Sequence, residues 1–547
     1  MEKEILIIPE PKYLKFTGKW FAFNGFTNFP EFLRSEFNIP KGSWIISESS
    51  SEGNGLVIED GKVTIYGDKN VCYATLIQLI IQGRGFLPEA EIKEKFRFKF
   101  RGYHLDIARG GVPRLETFKR ILRLLFLLKY NYFAIYFEDL FPWKNYPQIG
   151  AHRGRLTEEE LKEIVEYGER LGIEVSPSLE LSGHMENILS LPEFQKFGEW
   201  HNPKEGCLDL SNEEAREFAY KLLEEAINYF PSSKYVHIGG DETWALGRGK
   251  SLNKTWTFEG PRLYEMHHRN MIERIVMAGK KPILWGDMIS GMYLREDALK
   301  WGEILESDIW RKSLIANWDY SPSQKQHFKN KIKIFKDKGL EQIVCPGLSN
   351  WNRYYPNFDT AIENLRNFLS AAIEEEVAGF LLTAWGDDGE ECLFSLLDSL
   401  ILAAMEIAEG NGGWQRKWLA ISGEDESVLK ARLLFGRRIF SDVIKHVIFK
   451  DYWYNRLTKE DREKIRGEWI EILKSVKDIK LPEDLDFIRR LLTLGIEILE
   501  GDEKFSDYIS ISNVYAKLWL KERKSEGLER IIERFWGAAG RVDMKLG

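Results

Sequence analysis

The chain has 547 residues, of which 44% are hydrophobic and 13% aromatic, and this is enough apolar material for more than one core. Its formal net charge of −8 at pH 7 argues against nucleic acid as the main partner, because phosphate binding needs a basic surface. The start, MEKEILIIPEPKY, is charged at once, unlike a signal peptide, and no window of about 18 apolar residues predicts a membrane span.

Residues 1–97 predict a small N-terminal α/β domain. Short β-like runs surround one helical stretch, YATLIQLIIQG. The β-like runs are EILIIPEP, GLVIED and KVTIYG.

Residues 98–410 predict a (β/α)8 TIM barrel. Short apolar runs alternate there with long amphipathic helices such as TEEELKEIVEYGERLG. The eight candidate strands are FRGYHLD, NYFAIYF, GIEVSPSLE, YVHIGGD, KPILWGD, SLIANWD, QIVCPGL and AGFLLTAWG. Eight β–α repeats over roughly 300 residues are typical of this barrel. Within one barrel helix, HHR at 267–269 is interpreted as a solvated face.

Residues 411–547 predict a C-terminal α-helical domain, because helical periodicity continues without a strand signal. A role in forming a homodimer is one hypothesis for it. The four cysteines are scattered without metal-ligand spacing and are interpreted as reduced thiols, which predicts a cytoplasmic location. They are Cys72, Cys207, Cys345 and Cys392.

Polar or aromatic residues follow all eight predicted strands, where the active sites of such barrels lie. Strand by strand they are Asp106 and Arg109; Glu138 and Asp139; Glu180 and His184; Asp241 and Glu242; Trp285 and Asp287; Trp318 and Asp319; Trp351, Tyr354 and Tyr355; and Trp385 and Asp387. Polar and aromatic residues at every strand end are hard to ascribe to core packing.

The fourth strand, in HIGGDETW, shows how two adjacent carboxylates can share one cleft. Alternation places His237 and Asp241 toward the barrel interior and Val236 toward the helices. Strict alternation would turn Glu242 away from Asp241, so both can line the cleft only if the strand ends before them.

HIGGDE, together with LDIAR, ELSGH and the late AWGDD, resembles glycoside hydrolase family 20, the β-N-acetylhexosaminidases. The three-part layout is similar to a bacterial branch of exo-acting N-acetylglucosaminidases in that family. The resemblance implies a retaining hydrolase of terminal, non-reducing β-linked N-acetylglucosamine, with N-acetylgalactosamine left open. It implies oligosaccharides or glycoconjugates as substrates, and neither a metal nor a cofactor.

The resemblance also implies a role for each matched position. Asp241 and Glu242 match the catalytic pair, Arg109 the arginine that binds hydroxyls of the terminal sugar, and Asp387 a carboxylate, usually Glu, that binds outer hydroxyls. Glu138 and His184 match residues that support the site. Trp285, Trp318 and Trp385 match aromatic walls around the acetamide and the sugar face. Glu138 and Glu180 depart from the family pattern, where many members have Asp.

Several choices stay open at this point. The family tyrosine that bonds the acetamide carbonyl should lie near SNWNRYYP, and spacing does not choose among Trp351, Tyr354 and Tyr355. The three strand-end tryptophans also fit a packed core. His184 fits a packed loop histidine as well as a supporting residue.

In the family, the substrate's own 2-acetamido oxygen attacks C1 and gives an oxazolinium intermediate. The resemblance therefore implies that Asp241 orients the acetamide while Glu242 protonates the leaving oxygen. Two other classes compete: a barrel that binds sugar without cleaving it, and a metal-dependent hydrolase using His237, Asp241 and Glu242.

Overall fold

The structure, a computed structural model, describes residues 4–291, 298–387 and 389–544. Its N-terminal part is a five-stranded sheet in the order β1-β5-β3-β4-β2. The strands are β1 (Tyr13–Ala22), β2 (Ile45–Ser49), β3 (Asn54–Glu59), β4 (Lys62–Tyr66) and β5 (Phe86–Glu94). Two helices accompany them, α1 (Glu31–Glu36) and α2 (Lys69–Gly83). The Asp68 carboxylate begins α2 by accepting from the backbone N–H of Asn70 and Val71.

The predicted strand at EILIIPEP is wrong. No strand is assigned to residues 4–10, although Ile7 and Ile8 are buried. The backbone N–H of Ile8 donates to Gln78 Oε1 at 2.8 Å, and Gln78 Nε2 donates back to the Ile8 carbonyl at 2.7 Å. Side-chain amides of α2 therefore take the place of a neighbouring strand.

The predicted TIM barrel is confirmed, since eight parallel strands close into one barrel in chain order. The strands are β6 (Phe100–Asp106), β7 (Tyr132–Tyr136), β8 (Glu174–Ser178), β9 (Tyr235–His237), β10 (Lys281–Trp285), β11 (Leu314–Trp318), β12 (Gln342–Cys345) and β13 (Gly379–Ala384). The helices of this part are α3 (Leu115–Leu127), α4 (Glu158–Arg170), α5 (Glu186–Leu189), α6 (Glu213–Asn228), α7 (Lys250–Thr255), α8 (Gly260–Met277), α9 (Asp287–Ser290), α10 (Ala298–Ile304), α11 (Lys325–Lys336), α12 (Phe358–Glu374) and α13 (Asp398–Ala408). Short 3-10 turns lie at Gln195–Phe197, Pro203–Glu205, Asp308–Lys312 and Phe394–Leu397.

The predicted alternation on the fourth strand also holds. The His237 ring lies inside the barrel, 4.3 Å from the ring centroid of Trp285, while Val236 and Ile238 belong to the outer core between sheet and helices. The prediction that HHR at 267–269 forms a solvent-exposed helix face is wrong, because His267 and His268 are fully buried. His267 Nε2 lies 2.9 Å from the Leu181 carbonyl oxygen, and this side of α8 faces the barrel wall.

Helices alone form the C-terminal part within the described residues, as predicted. They are α14 (Trp414–Ser422), α15 (Glu426–Phe435), α16 (Arg438–Ser441), α17 (Ile444–Phe449), α18 (Tyr452–Arg456), α19 (Lys459–Val476), α20 (Glu483–Glu500), α21 (Phe505–Glu522) and α22 (Leu528–Asp543). Of the helices in the described ranges, none combines the length and apolar character needed to cross a bilayer.

The turn between α21 and α22 is joined to the loop after β6 by backbone hydrogen bonds. The N–H of Arg114 donates to the Glu522 carbonyl at 2.9 Å, and the N–H of Lys524 to the Val112 carbonyl at 2.9 Å. Gly527 has φ +88°, and a Cβ there would lie 1.7 Å from the Gly110 carbonyl oxygen. Only glycine therefore lets the C-terminal part come this close to the barrel.

The predicted domain boundaries fall between β5 and β6 and between α13 and α14. They stay a prediction, since buried residues of all three parts belong to one continuous core.

A buried ion pair joins the N-terminal sheet to the barrel. Lys129 Nζ lies 2.7 Å from Glu94 Oε1, with 0% and 2% of the two side chains exposed. The Thr75 hydroxyl donates to the same carboxylate oxygen. Removing one partner of such a pair leaves an uncompensated buried charge.

We expect Lys129→Met to lower the free energy of unfolding by about 3–5 kcal/mol, because Glu94 loses its cation in a buried setting. Urea unfolding followed by tryptophan fluorescence measures the change. The matched control is Lys69→Met, whose partner Glu48 is 60% exposed and whose loss should cost less than about 1 kcal/mol. Equal effects of the two variants would contradict the role of the buried pair.

Candidate active site

The loops that follow the barrel strands enclose a pocket of about 270 Å³. The pocket lies at the C-terminal ends of the strands, where barrels of this kind hold their active sites. Its lining residues are Arg109, His184, Asp241, Glu242, Trp318, Tyr320, Trp351, Asn352, Trp385 and Asp387. A larger groove of about 1,330 Å³ runs between the N-terminal segment and α14, away from the strand ends.

Asp241 and Glu242 meet at one histidine. His184 Nε2 lies 3.5 Å from Asp241 Oδ2 and 3.5 Å from Glu242 Oε2. Asp241 is buried, at 7% exposure, whereas 38% of the Glu242 side chain is exposed. Asp241 is thus enclosed, and Glu242 reaches the open side of the pocket.

Backbone conformation explains how both carboxylates reach the same pocket. β9 ends at His237, and Gly239 and Gly240 follow with φ +63° and +90°. A Cβ on Gly239 would lie 2.2 Å from the Glu180 carboxyl group, so this position has no room for a side chain. Glu242 itself has φ +48°, which reverses the alternation expected from a continuing strand.

Two further site residues share this left-handed backbone: Glu138 at φ +45° and His184 at φ +48°. Such conformations cost non-glycine residues of the order of 1–3 kcal/mol each and collect at functional sites. That they occur together at one barrel end supports a functional reading of the pocket.

Asp287, at the end of β10, fixes the orientation of Glu242 and Trp318. Its Oδ2 accepts from the Glu242 backbone N–H at 3.0 Å, and its Oδ1 accepts from Trp318 Nε1 at 3.2 Å. Burial and the charge of Asp241 raise the pKa of Asp287 to about 7. These two hydrogen bonds hold the Trp318 indole and the loop that carries Glu242 together.

Arg109 contacts three acidic residues, at the end of β6 and in the loops after β7 and β13. Its Nη1 lies 2.5 Å from Asp387 Oδ1, its Nη2 3.1 Å from Glu138 Oε1, and its Nε 3.5 Å from Asp106 Oδ2. Burial raises the pKa of Glu138 to about 7 even though the charge of Arg109 opposes it. Arg530 on α22 donates to the Arg109 carbonyl at 2.9 Å, so the C-terminal part helps to place this arginine.

Aromatic rings form the remaining wall. Trp318 stacks on Tyr320 with ring centroids 5.1 Å apart, and Tyr320 lies 5.2 Å from Trp351. The Tyr320 hydroxyl accepts from Trp385 Nε1 at 2.8 Å. Flat apolar rings beside charged groups suit a ligand with an apolar face and a polar rim.

Electrostatic interactions shift the pKa values of Asp241 and Glu242 in opposite directions. Burial alone would raise the pKa of Asp241, but the charge of His184 and hydrogen bonds with His184 and Glu180 hold it below its ordinary value. Burial alone would lower the pKa of His184, but the charge of Asp241 raises it well above the usual range. Burial, assisted by the charge of Asp241, raises the pKa of Glu242. Asp241 and His184 thus form an ion pair, and Glu242 retains a proton to higher pH than a free glutamate.

The structure brings eight of the predicted site residues to the pocket lining: Arg109, His184, Trp318, Trp351, Trp385, Asp387, Asp241 and Glu242. Glu138 lies beneath Arg109, in contact with its guanidinium. Trp285 is fully buried below the wall, with its ring centroid 5.8 Å from that of Trp385, so it supports the wall without lining it.

The structure corrects the predicted place of Tyr354. Its ring packs among helices of the C-terminal part, 6.0 Å from Phe487 and 5.7 Å from Tyr515. Tyr355 also turns away, stacking on Phe358 at 5.5 Å. The pocket uses Tyr320 instead, two residues beyond Trp318, and Asn352, both of which the prediction missed. Period-two spacing from Trp318 was the signal that could have found Tyr320.

Two groups of side chains among the described residues have donor atoms close enough to hold a cation. They are Glu138, His184 and Glu186, and His184, Asp241 and Glu242. His237, which the metal-hydrolase hypothesis requires, belongs to neither group. Its Nδ1 instead accepts from the Gly239 backbone N–H at 3.0 Å.

Residues 98–351 match the family model described as glycosyl hydrolase family 20, catalytic domain, which confirms the resemblance over this part of the barrel. Hexosaminidase D of Homo sapiens is 24% identical over 309 residues, covering 53% of this chain and 60% of that protein. A beta-hexosaminidase of Vibrio furnissii is 33% identical over 205 residues, covering 31% of this chain and 33% of that protein. The chain thus spans less than two thirds of the length of either relative.

A solved structure shares the fold. It is a family 20 exo beta-N-acetylglucosaminidase from Vibrio harveyi in complex with N-acetylglucosamine, with a TM-score of 0.58 and 18% identity. The match covers 78% of this chain and 75% of that one.

We expect the His184 ring to stay protonated at pH 7.5, because its pKa is raised by Asp241, while His237, whose pKa burial lowers to about 3, stays neutral. Asp241→Asn removes the charge that raises the pKa of His184, so that ring should titrate at lower pH. NMR of histidine labelled at Cε1 measures both rings. His268, whose pKa burial lowers to about 4 with no contribution from Asp241, is the control whose signal should not change. A His184 titration unchanged by Asp241→Asn would contradict the ion pair.

Proposed function

We propose that this chain, whose residues 98–351 belong to glycosyl hydrolase family 20, is an exo-acting β-N-acetylhexosaminidase that removes terminal β-linked N-acetylglucosamine. One observation carries the proposal: an ionised, enclosed Asp241 and a partly exposed Glu242 of raised pKa lie side by side in a small pocket. The similarity to hexosaminidase D, to the Vibrio furnissii beta-hexosaminidase and to the Vibrio harveyi exo beta-N-acetylglucosaminidase supports it.

The size of the pocket supports exo action. A volume of about 270 Å³ lies just below the range of about 300–1,000 Å³ that is usual for ligand pockets. It suits one sugar residue and is small for a long internal stretch of a chain. Asp387 follows β13 and Glu242 follows β9, four strands apart in a barrel of eight, so they face each other across the pocket. The terminal sugar lies between them, with its outer hydroxyls toward Arg109 and Asp387.

The spacing of the carboxylates supports retention of configuration. A carboxylate oxygen of Asp241 lies within 4.8 Å of a carboxylate oxygen of Glu242. Inverting enzymes separate their carboxyl groups by about 6.5–9.5 Å to admit a water between them. The pair here leaves no such room, and retaining enzymes of family 20 use the substrate's acetamide as nucleophile.

In the first step, the acetamide oxygen forms a bond to C1 while the bond from C1 to the leaving oxygen breaks, and Glu242 gives its proton to that oxygen. Asp241 accepts the acetamide N–H and offsets the positive charge on the resulting oxazolinium ring. The His184 ion pair keeps Asp241 ionised for this role. An attached nucleophile also avoids the entropy cost of a bimolecular step, for which effective molarities reach about 10⁵–10⁸ M.

In the second step, water attacks C1 and the oxazolinium ring opens. Glu242, now a carboxylate, takes the proton of the attacking water and returns to its acid form. General acid–base assistance of this kind contributes roughly 10²–10⁴-fold to the rate.

Tyr320 is the tyrosine that the pocket offers to the acetamide carbonyl. Its hydroxyl accepts from Trp385 Nε1, and its ring lies 5.1 Å from that of Trp318 and 5.2 Å from that of Trp351. We therefore assign to Tyr320 the hydrogen bond that the family resemblance placed near residues 351–355. Trp318 and Trp385 enclose the acetamide methyl and the sugar face.

We further propose a cytoplasmic location and substrates that are oligosaccharides or glycoconjugates ending in N-acetylhexosamine. The four free, buried thiols support a reducing compartment.

The metal-dependent alternative draws on the group of His184, Asp241 and Glu242. Activity that survives a chelator would exclude it.

Wild-type protein should cleave an aryl β-N-acetylglucosaminide and leave the matching aryl β-glucoside almost untouched, because the plain sugar lacks the nucleophile. Asp241→Asn should lower kcat on the acetamido sugar by about 10²–10³-fold, the effect of losing one charge-stabilising group. Steady-state kinetics on the two substrates measures both. Fast cleavage of the plain glucoside, or near-normal turnover by Asp241→Asn, would refute the acetamide mechanism.

Glu242→Gln should lose most rate on substrates with poor leaving groups, because these need the proton most. With a 2,4-dinitrophenyl leaving group the loss should be far smaller than the roughly 10²–10⁴-fold expected for general acid catalysis. Wild-type kcat/KM should fall as pH rises through the raised pKa of Glu242, and that alkaline limb should vanish in the variant. Losses that do not depend on the leaving group would exclude Glu242 as the acid.

A further inference from the structure

The inner face of α8 carries polar rings where a helix packed on a sheet would be expected to carry only apolar side chains. The face consists of Tyr264, His267, His268, Met271 and Ile275, all of them fully buried. Because α8 leads from the loop after β9 back to the start of β10, its first turns lie at the pocket end of the barrel. Buried polar groups need hydrogen-bond partners, so the partners of these rings show what the helix holds in place.

Tyr264 holds the residue that precedes Asp241. Its hydroxyl donates to the Gly240 carbonyl at 2.7 Å, and the N–H of the same glycine donates to Glu180 Oε2 at 3.1 Å. Both backbone polar groups of Gly240 are therefore fixed, one by α8 and one by the loop after β8. The Gly240 carbonyl shares a rigid peptide plane with the Asp241 nitrogen, so the Tyr264 hydroxyl sets the direction in which the Asp241 side chain begins.

The packing of α8 against Gly240 is close. A Cβ on Gly240 would lie 2.6 Å from the Tyr264 hydroxyl oxygen and 2.6 Å from His268 Nε2. The Tyr264 ring stacks on His268 with centroids 3.8 Å apart and meets Trp301 edge-on at 5.4 Å. His268 Nδ1 donates to the Tyr264 carbonyl at 2.8 Å. The hydroxyl is thus directed at Gly240 by its own surroundings, without a ligand.

His267 holds the neighbouring loop. Its Nε2 donates to the Leu181 carbonyl at 2.9 Å, and its Nδ1 lies 3.3 Å from the Tyr220 hydroxyl on α6. Leu181 lies in the same loop as His184, the partner of Asp241. One face of α8 therefore contacts both loops that supply the ion pair of the pocket.

We propose that Tyr264 is a positioning residue for the reaction: by holding the Gly240 carbonyl, it directs the Asp241 carboxylate toward the substrate's acetamide group. This inference rests on the proposed function. Among the described residues that line the pocket, Tyr264 is absent, so it acts through Asp241 and not by touching the sugar. Burial raises the pKa of Tyr264 well above its usual range, with smaller contributions from Asp287 and Asp241. The hydroxyl therefore keeps its proton and stays a donor.

Tyr264→Phe removes the hydroxyl and keeps the ring. We expect it to lower kcat on an aryl β-N-acetylglucosaminide by about 10–100-fold, since a displacement of about 1 Å at a reacting group can cost about 100-fold. Steady-state kinetics measures the change. An unchanged kcat would overturn the inference.

Tyr130→Phe is the matched control. The Tyr130 hydroxyl donates to the Ile401 carbonyl at the same distance of 2.7 Å and is also buried. However, Tyr130 precedes β7 and so lies at the opposite end of the barrel from the pocket. Both variants should lose a similar amount of stability toward urea, but only Tyr264→Phe should slow turnover. Equal kinetic losses would assign the effect to the loss of any buried hydroxyl and would overturn the inference.

A double-mutant cycle tests whether Tyr264 acts through Asp241. In the Asp241→Asn background, Tyr264→Phe should lower kcat by less than about a further twofold, because the charged group that the hydroxyl directs is already lost. If the two losses multiply in full, Tyr264 acts independently of Asp241 and the inference fails.

The His184 ring gives a readout that does not need turnover. In Tyr264→Phe, a displaced Asp241 stabilises the charged imidazole less, so the NMR signal of His184 should titrate at lower pH than in wild type. Tyr130→Phe should leave that titration unchanged. A titration that also stays unchanged in Tyr264→Phe would overturn the placement of Asp241 by Tyr264. If wild type cleaves no acetamido sugar, the proposed function fails, and the His184 titration still decides whether Tyr264 places Asp241.

Discussion

The site depends on a charge imbalance at one end of the barrel. The carboxyl groups of Asp106, Glu138, Glu180, Asp241 and Asp287 are all buried there. Arg109 and His184 approach this group from two sides and cannot neutralise all of it. Burial therefore raises the pKa of Asp106, Glu138, Glu180 and Asp287, so these carboxyl groups keep a proton to higher pH than exposed ones do. Because His184 contacts Asp241, that residue alone of the five has a lowered pKa, and the division of roles between Asp241 and Glu242 follows from this.

The backbone sets this arrangement as much as the side chains do. Left-handed residues at the ends of three neighbouring strands turn Glu138, His184 and Glu242 toward one another. The strain energy of these left-handed residues is offset by packing in the barrel beneath them. There the rings of His104, His237 and Trp285 fill the interior. Backbone conformation fixes where each of these side chains begins. A change of side-chain rotamer therefore cannot move the starting points of the site residues.

The barrel was predictable because alternation with period two and eight repeated units are properties of the local sequence. Asp241 and Glu242 were predictable as cleft residues because they follow a strand end and a glycine pair, and the roles predicted for them came from the family resemblance. The position of the Tyr354 side chain was not predictable. Its ring packs against α20 and α21, which lie more than a hundred residues away in sequence. The prediction of a strand at EILIIPEP was wrong for a related reason. The hydrogen-bond partners of this run are glutamine side chains of a helix, and an apolar pattern cannot reveal them.

The contact between Arg530 and the Arg109 carbonyl joins residues that are 421 positions apart. During translation the barrel strands leave the ribosome long before α22, and domains generally fold in that order. A nascent chain can therefore contain both Asp241 and Glu242 while the loop that carries Arg109 still lacks its support. On this view the last helices act as a checkpoint in biosynthesis, since the rim of the pocket is complete only once they have docked.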